Sequence, residues 1–310
     1  MSEIAIVGAG AWGTALAIQA DRAGARVTLW ARDPSRAGSR LPGLLPETVT
    51  VTDALPETGD AILLAVPLQS LREVLGRMRP RAPLLVCAKG IEAGTYSLPL
   101  EIVASVHPQA VSAVLTGPNF AAEIAAGLPA AAVIAAADPA LRSHLAGLLA
   151  SAQFRLYGND DPVGAQIGGA AKNVIAIGAG TVIGAGLGEN ARAALVTRGL
   201  AELTRCAMAL GGKAETVAGL SGLGDLLLTC TGSVSRNYGF GLAIGRGRSP
   251  ADALAASPGV VEGAATAPAL LARAASVELP ICRTVAALIE GRVTVAEAIV
   301  ALMTRKLRDE

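Results

Sequence analysis

The sequence predicts an α/β fold: an N-terminal, mainly parallel sheet followed by a mostly helical C-terminal domain. Three observations carry this reading. The apolar run Ile4-Ala5-Ile6-Val7 passes directly into Gly8-Ala9-Gly10-Ala11-Trp12-Gly13 and then into a helical stretch. Short strand-like runs alternate with helical ones through the first half of the chain. Beyond Asp161-Pro162, strand signals largely disappear and long Ala- and Leu-rich helical runs take over.

The opening segment carries a GxGxxG pattern in the strand–turn–helix context that dinucleotide binding requires. Gly8 permits the tight turn, Gly10 lets the backbone approach a pyrophosphate, and Gly13 lets a helix from Thr14 to Ala23 pack on the sheet. First-turn N–H groups of that helix would face the anion. The bland alternative is a glycine-rich turn with no ligand. Arg26 to Trp30 forms a second strand, ending near Arg32-Asp33-Pro34. Ala61 to Val66 is another, stopped by Pro67, and Leu84 to Ala88 a further one, ending at Lys89-Gly90. Between them, Leu71, Val74, Leu75 and Met78 give Gln69 to Met78 an apolar helical face. Ala130 to Ala136 and Phe154 to Tyr157 add later strands. This alternation defines a Rossmann-like, mainly parallel sheet domain over residues 1–161. A helical domain follows over 162–310, with runs at Asn190 to Leu210, Thr266 to Ala275 and Val295 to Leu302.

Composition narrows the function. The chain is 52% hydrophobic but only 3% aromatic, which favours close helix packing over a surface built for aromatic recognition. A net charge of +1 gives no electrostatic case for nucleic acid. Cys87, Cys206, Cys230 and Cys282 form no CxxC pair and read as buried thiols of a reducing compartment. His107 and His144 are too few for a histidine-rich metal centre, and no metal is expected. The first residues lack the basic start and apolar core of a signal peptide, so a cytoplasmic enzyme is expected. Gly168 to Leu187 is long and apolar, but Lys172, Asn173 and several glycines favour a buried helix over a membrane span.

Several polar residues can carry chemistry. Arg32, at the end of the second strand, can accommodate a 2′-phosphate and points toward NADPH over NADH, while Asp33 can cap the turn before Pro34. Lys89 closes a strand where ligand-binding loops emerge; a surface lysine is its alternative. Lys172 lies in an otherwise apolar helix with Asn173 as its immediate polar neighbour. Burial would lower its proton affinity and make it a general base, whereas a snorkelling lysine would be inert. Gly222-Leu223-Gly224-Asp225 allows an exposed carboxylate at a tight turn, either orienting a lysine or substrate hydroxyl or capping a helix. Ser233-Val234-Ser235-Arg236-Asn237 concentrates phosphate-binding groups, with a helix cap and a solvent-facing arginine as the alternative. Together these groups describe a nicotinamide-dependent alcohol dehydrogenase for a small anionic substrate.

At this point the chain strongly resembles the bacterial NAD(P)-dependent glycerol-3-phosphate dehydrogenase family over nearly its full length. The resemblance rests on Gly8 to Ala17, Ala88-Lys89-Gly90-Ile91, Gly117-Pro118-Asn119-Phe120-Ala121 and Lys172-Asn173-Val174-Ile175. It continues through Asn190-Ala191-Arg192, Gly222-Leu223-Gly224-Asp225-Leu226, Leu228-Thr229-Cys230-Thr231, Ser235-Arg236-Asn237 and Val261-Glu262-Gly263. It implies reversible reduction of dihydroxyacetone phosphate to sn-glycerol 3-phosphate for glycerophospholipid synthesis, with NADPH or NADH. Cofactor positions would be Gly8, Gly10, Ala11, Trp12, Gly13, Arg32, Lys89, Ala121, Arg236, Val260 and Glu262. Substrate positions would be Lys89, Gly117, Asn119, Lys172, Asp225, Ser235, Arg236 and Asn237.

By the same resemblance, Lys172 is the proton acceptor in alcohol oxidation and Asp225 orients it. No metal or cysteine nucleophile is required, and a homodimer is a family-level expectation. Two positions depart from the family's pattern: Asn119 stands where serine is frequent, and Gln166 where glutamate is. A β-hydroxyacid dehydrogenase is the main enzymatic alternative, with the Ser235-Arg236-Asn237 segment as discriminator. A non-enzymatic NADPH-binding regulator would leave Lys172 and Asp225 unexplained.

Overall fold

The protein, described here from a computed structural model, is resolved into structure over residues 1–232 and 234–304. Ser233 and residues 305–310, which the sequence reading included, lie outside the described residues. The chain divides into two compact units: Met1–Lys89 with Ser97–Gln166, and Gly90–Tyr96 with the chain from Ile167 onward.

Among the described residues the first unit holds eight strands: β1 (Glu3–Val7), β2 (Arg26–Trp30), β3 (Thr50–Thr52), β4 (Ala61–Leu64), β5 (Leu84–Val86), β6 (Ser112–Thr116), β7 (Ala130–Ala135) and β8 (Phe154–Asn159). They form one sheet in the order β3-β2-β1-β4-β5-β6-β7-β8, parallel throughout except between β6 and β7. Ile4 to Val7 and Ala61 to Leu64 are all buried, which is why β1 and β4 read as unbroken apolar runs rather than alternating ones. Helices α1 (Ala11–Arg22), α2 (Leu71–Gly76), α3 (Pro99–Val106), α4 (Ala121–Ala126) and α5 (Pro139–Leu149) accompany the sheet. Successive strands step outward from β1 to β3 and then restart at β4 on the other side. The order therefore reverses at β1 and β4, the place where open α/β sheets bind ligands. Val7 pairs with both Trp30 and Leu64, so Gly8, Ala31 and Ala65 leave the sheet side by side.

The helix expected from Gln69 is shorter: a 3₁₀ turn at Leu68–Ser70 precedes α2. Strands β3 and β6 were not anticipated. β3 has only three residues, two of them threonine, and Ser112-Ala113-Val114-Leu115-Thr116, although closed by Gly117-Pro118, has only three apolar residues between two hydroxyl side chains.

Helix α6 (Pro162–Gly184) begins in the first unit and runs on into the second. There follow α7 (Gly188–Ala209), α8 (Ala214–Ala218), a π-helical turn at Leu220–Gly224, α9 (Asp225–Thr231), α10 (Arg236–Gly245), α11 (Pro250–Ala255), α12 (Glu262–Arg273), α13 (Pro280–Ile289) and α14 (Val295–Met303). By length and composition α6 is apolar enough to cross a membrane, yet most of it is buried within the protein. Its neighbours approach closely because glycine lines the contact. A Cβ on Gly180 would fall 2.0 Å from the Tyr238 carbonyl oxygen, and one on Gly241 would fall 1.9 Å from that of Ile177. Helices α6 and α10 thus touch backbone to backbone, and the small-residue composition is spent there.

Candidate active site

The glycine-rich turn is shaped by what surrounds it. Gly8 has φ of 113°, and a Cβ there would meet the Ala65 carbonyl oxygen at 2.8 Å. Gly13 lies against Gly8, where an added Cβ would come within 1.7 Å of its carbonyl oxygen. Gly10 differs: a Cβ there would meet nothing within 4 Å, so the open side of the turn is at Gly10. As the N-cap of α1 it offers no side-chain cap, and the first-turn N–H groups of Ala11, Trp12 and Gly13 have no intrahelical carbonyl to bond. These features fit a dinucleotide pyrophosphate. Arg32 is exposed just beyond β2, while the Asp33 carboxylate is occupied by the backbone N–H of Ser35 at 3.1 Å and its hydroxyl. Asp33 therefore caps the turn, leaving Arg32 as the charged group presented at this strand end.

Further along the sheet, Lys89 follows β5 and donates from Nζ to the Gly117 carbonyl at 3.1 Å. Gly117 follows β6 with φ of 120°, and a Cβ there would lie 3.2 Å from the Cα of Ala132. Asn119 Nδ2 donates to the Ala131 carbonyl at 3.2 Å, whereas its Oδ1 is buried without a hydrogen-bond partner. Lys89, Gly117 and Asn119 are thereby gathered at one end of the β5–β7 region. Ala121 starts α4 and packs partly against the core.

In the second unit α6 carries Lys172 into the interior, where it is 7% exposed. Its Nζ donates to the Asp225 Oδ1 in a close ion pair and to the Thr229 hydroxyl oxygen at 2.9 Å. Thr229 in turn donates to the Asp225 carbonyl at 2.6 Å, so its lone pair is left to face the lysine. Asp225 is 1% exposed, which corrects the expectation of an exposed carboxylate. The π-helical turn before α9 tucks the carboxylate inward instead of letting it end a solvent-facing loop, and it meets a cation rather than capping a helix. A buried carboxylate and a buried ammonium are each costly alone, and pairing is what makes both tolerable.

The Ser235-Arg236-Asn237 segment opens α10. Ser235 is the N-cap and accepts from the Tyr238 N–H at 3.2 Å. Arg236 is exposed and reaches toward the segment before α12: a Cβ on Gly259 would meet its Nη1 at 2.9 Å. That places the guanidinium beside the chain leading into Val260 and Glu262. Asn237 is buried, donating to Asn173 Oδ1 at 2.9 Å and accepting from the Gly263 N–H at 2.9 Å.

Cys87, Cys206, Cys230 and Cys282 are all buried and unbridged. Burial pushes the thiol of Cys87 up to about 12 against the opposing pull of Lys89 and Trp12, that of Cys206 up to about 11, and that of Cys230 up to about 12 despite nearby Lys172. Cys282 is raised well above the ordinary thiol range, by burial and then by Glu202. Among the described residues, no three His, Cys, Asp or Glu side chains are placed to hold a metal ion.

The two halves of the chain match the NAD-dependent glycerol-3-phosphate dehydrogenase N-terminus over residues 3–142 and its C-terminus over residues 161–300. The chain belongs to the NAD-dependent glycerol-3-phosphate dehydrogenase family. It is 56% identical over 320 residues to glycerol-3-phosphate dehydrogenase [NAD(P)+] of Acidiphilium cryptum, covering 99% of this chain and 98% of that one. It is 52% identical over 313 residues to the Gluconobacter oxydans protein of the same name, covering 97% of each. Glycerol-3-phosphate dehydrogenase of Coxiella burnetii superimposes with a TM-score of 0.93 at 36% identity, covering 98% of this chain and 99% of that one. The chain is accordingly an NAD(P)-dependent oxidoreductase that interconverts dihydroxyacetone phosphate and glycerol 3-phosphate.

Two residues of the site are given no role by the sequence. Thr229 belongs to a family-like segment and lies one helical turn after Asp225, a spacing that puts both on one face of a helix. Asn173 stands in the Lys172-Asn173-Val174-Ile175 segment as the neighbour of Lys172, and nothing in the sequence pairs it with Asn237. Gln166 is explained by its own contacts. It accepts from the Leu100 N–H and donates to the Pro162 carbonyl, both at 2.8 Å, and a glutamate could not make the second bond.

Proposed function

We propose that this dehydrogenase works with Lys172 as the group that moves the substrate proton. The observation that carries the reading is the buried Lys172–Asp225–Thr229 triad, a titratable amine held by two acceptors on one helix face. The dinucleotide, when bound, supplies or accepts the hydride. In the reducing direction Lys172 Nζ gives a proton to the oxygen of the substrate carbonyl as it becomes an alcohol. In the oxidising direction neutral Lys172 takes that proton back. Asp225 and Thr229 keep the amine at one place and compensate its charge while it is protonated, which is what proton transfer to an aligned partner needs.

Arg236, beside the Ser235 cap of α10, holds the substrate phosphate, with Ser235 and Asn237 supporting that corner. Lys89, Gly117 and Asn119 complete the substrate set. The unpartnered Asn119 Oδ1 supports its use as an acceptor for a substrate hydroxyl. Gly8, Gly10, Ala11, Trp12, Gly13, Arg32, Lys89, Ala121, Arg236, Val260 and Glu262 serve the dinucleotide, with Arg32 favouring NADPH. Residues 1–161 then act as the cofactor domain and 162–310 as the catalytic one, in a cytoplasmic homodimer that makes sn-glycerol 3-phosphate for glycerophospholipids.

The deciding experiment is the initial rate with dihydroxyacetone phosphate in matched NADPH and NADH titrations, in the parent and in Lys172→Met. Substrate-dependent oxidation in the parent and its loss in folded Lys172→Met is the expected result. Turnover retained in that variant removes Lys172 from the proposal, and higher kcat/KM with NADH removes Arg32.

A further inference from the structure

Lys172 lies on α6 and Asp225 on α9, so something must set how closely these two helices approach. Gly168 is one helical turn before Lys172 on the same helix. A Cβ on Gly168 would fall 2.6 Å from the Ser221 carbonyl oxygen and 3.2 Å from the Cα of Gly222, both backbone atoms that cannot swing away as a side chain would. Ser221 and Gly222 belong to the π-helical turn Leu220–Gly224 that leads directly into Asp225. The turn is held by the Gly224 N–H donating to the Gly219 carbonyl at 3.1 Å, and Ser221 is buried.

The turn is also closely packed on α8. A Cβ on Gly222 would lie 2.0 Å from the Val217 carbonyl oxygen, in α8. The turn is therefore in close backbone contact with both α6 and α8. A π-helical turn is a poor way to build a helix for stability and recurs at functional sites. Here it leads into α9, where the i, i+4 spacing of Asp225 and Thr229 lets both reach the same amine.

We propose that Gly168 is a positioning residue for the proton-transfer group: its backbone contact with Ser221 sets the approach of α6 to α9, and so the fit of Lys172 to Asp225 and Thr229. This rests on the reading of Lys172 as the proton donor and acceptor. A methyl group at residue 168 must push the π-helical turn outward, and a displacement of about 1 Å near the chemistry costs on the order of 100-fold in rate.

The test compares Gly168→Ala with Gly184→Ala, a substitution at the far end of the same helix whose Cβ clashes with Leu242 and Gly245 at the C-terminal end of α10, away from Arg236 and Asn237. Rates are referred to the concentration of NADPH-binding sites, so loss of folded protein is counted apart from loss of turnover. The expected result is a kcat about 10- to 100-fold lower for Gly168→Ala, with KM for NADPH within about twofold, and a far smaller effect on kcat for Gly184→Ala. Adding Asp225→Glu, one methylene longer, raises kcat in the Gly168→Ala background and lowers it in the parent. A kcat for Gly168→Ala equal to that of the parent or of Gly184→Ala overturns the proposal, as does a fall with Asp225→Glu in both backgrounds. Should Gly168→Ala give no NADPH-binding protein, Asp225→Glu in the parent decides: an unchanged kcat means the separation is not enforced. Lys172→Met separates the two levels, since turnover in that variant sinks the underlying reading, whereas an inactive Lys172→Met with a fully active Gly168→Ala sinks only the positioning role.

Discussion

Asn237 donates from Nδ2 to the Oδ1 of Asn173, the residue that follows Lys172 on α6, at 2.9 Å. Its own Oδ1 accepts from the Gly263 N–H at the start of α12 at 2.9 Å. One buried amide thus ties α10 to both α6 and α12. Replacement by alanine strands the Gly263 N–H and the Asn173 Oδ1 together, so Asn237→Ala should cost about 2–4 kcal/mol of stability. Urea unfolding checks this, and an unchanged midpoint would mean that water replaces both bonds.

Removing one partner of the Lys172–Asp225 pair should hurt stability as well as rate. In Lys172→Met the buried Asp225 carboxylate loses its cation, at a cost of about 3 kcal/mol. Turnover should fall by about 10³-fold. The double variant Lys172→Met/Asp225→Asn should regain most of the stability and none of the activity. Thermal unfolding of the four proteins of this cycle, read beside kcat, tests both halves.

Arg32 stands exposed beyond β2 with Asp33 already committed to Ser35. Arg32→Ala should lower kcat/KM with NADPH by about 10- to 100-fold, the value of a lost charge-assisted phosphate contact, and change NADH little. Equal losses with both dinucleotides would place Arg32 on a part they share.

Glu202 of α7 is 1% exposed and accepts the N–H groups of Ile281 at 2.6 Å and Cys282 at 3.1 Å, at the start of α13. Burial raises its pKa above 4.5, and the two backbone N–H groups only partly oppose this. The folded protein therefore holds this proton at a pH where the unfolded chain has released it. The resulting stability is present in full below 4.5 and is lost as pH rises through the folded value. Unfolding free energies from pH 4 upward should fall less steeply in Glu202→Gln than in the parent (pH values being about those bracketing an ordinary carboxylate). Parallel curves would show that Glu202 does not titrate differently on folding.

The thiols should be silent in the native protein. With Cys87 and Cys230 raised to about 12 and Cys206 to about 11, all by burial, almost no thiolate forms near neutrality. A thiol-specific disulfide reagent should label none of the four cysteines before unfolding and all four after it. Rapid labelling of the folded enzyme, with loss of activity, would point to an opening that exposes one of them.

Much of the first unit was legible because its signals are local. Gly8, Gly10 and Gly13 declare a tight turn by their spacing, and the runs at Ile4 to Val7 and Ala61 to Leu64 declare strands buried on both faces. Thr50–Thr52 is short with threonine at both ends, and Ser112–Thr116 begins and ends in hydroxyl side chains, so neither shows the unbroken apolar run that marks β4 and β5. In the second unit, residue type and motif singled out Lys172, Asp225 and Ser235, but exposure was misjudged at Asp225. A glycine-flanked aspartate looks the same in sequence whether its turn faces water or a helix.

The sequence by itself determined the class of fold, the dinucleotide turn and the residue types offered for the proposed proton transfer, because each depends on residue type and on spacing within one element. Only the tertiary structure decided which groups meet. Lys172 and Asp225 are 53 residues apart, Asn173 and Asn237 are 64 apart, and the contact of Gly168 with the Ser221 backbone shows in the sequence only as one more glycine, with nothing to name its partner. Such contacts arise from how α6, α9 and α10 pack, and packing is a property of the whole core, while periodicity reports only one helix at a time.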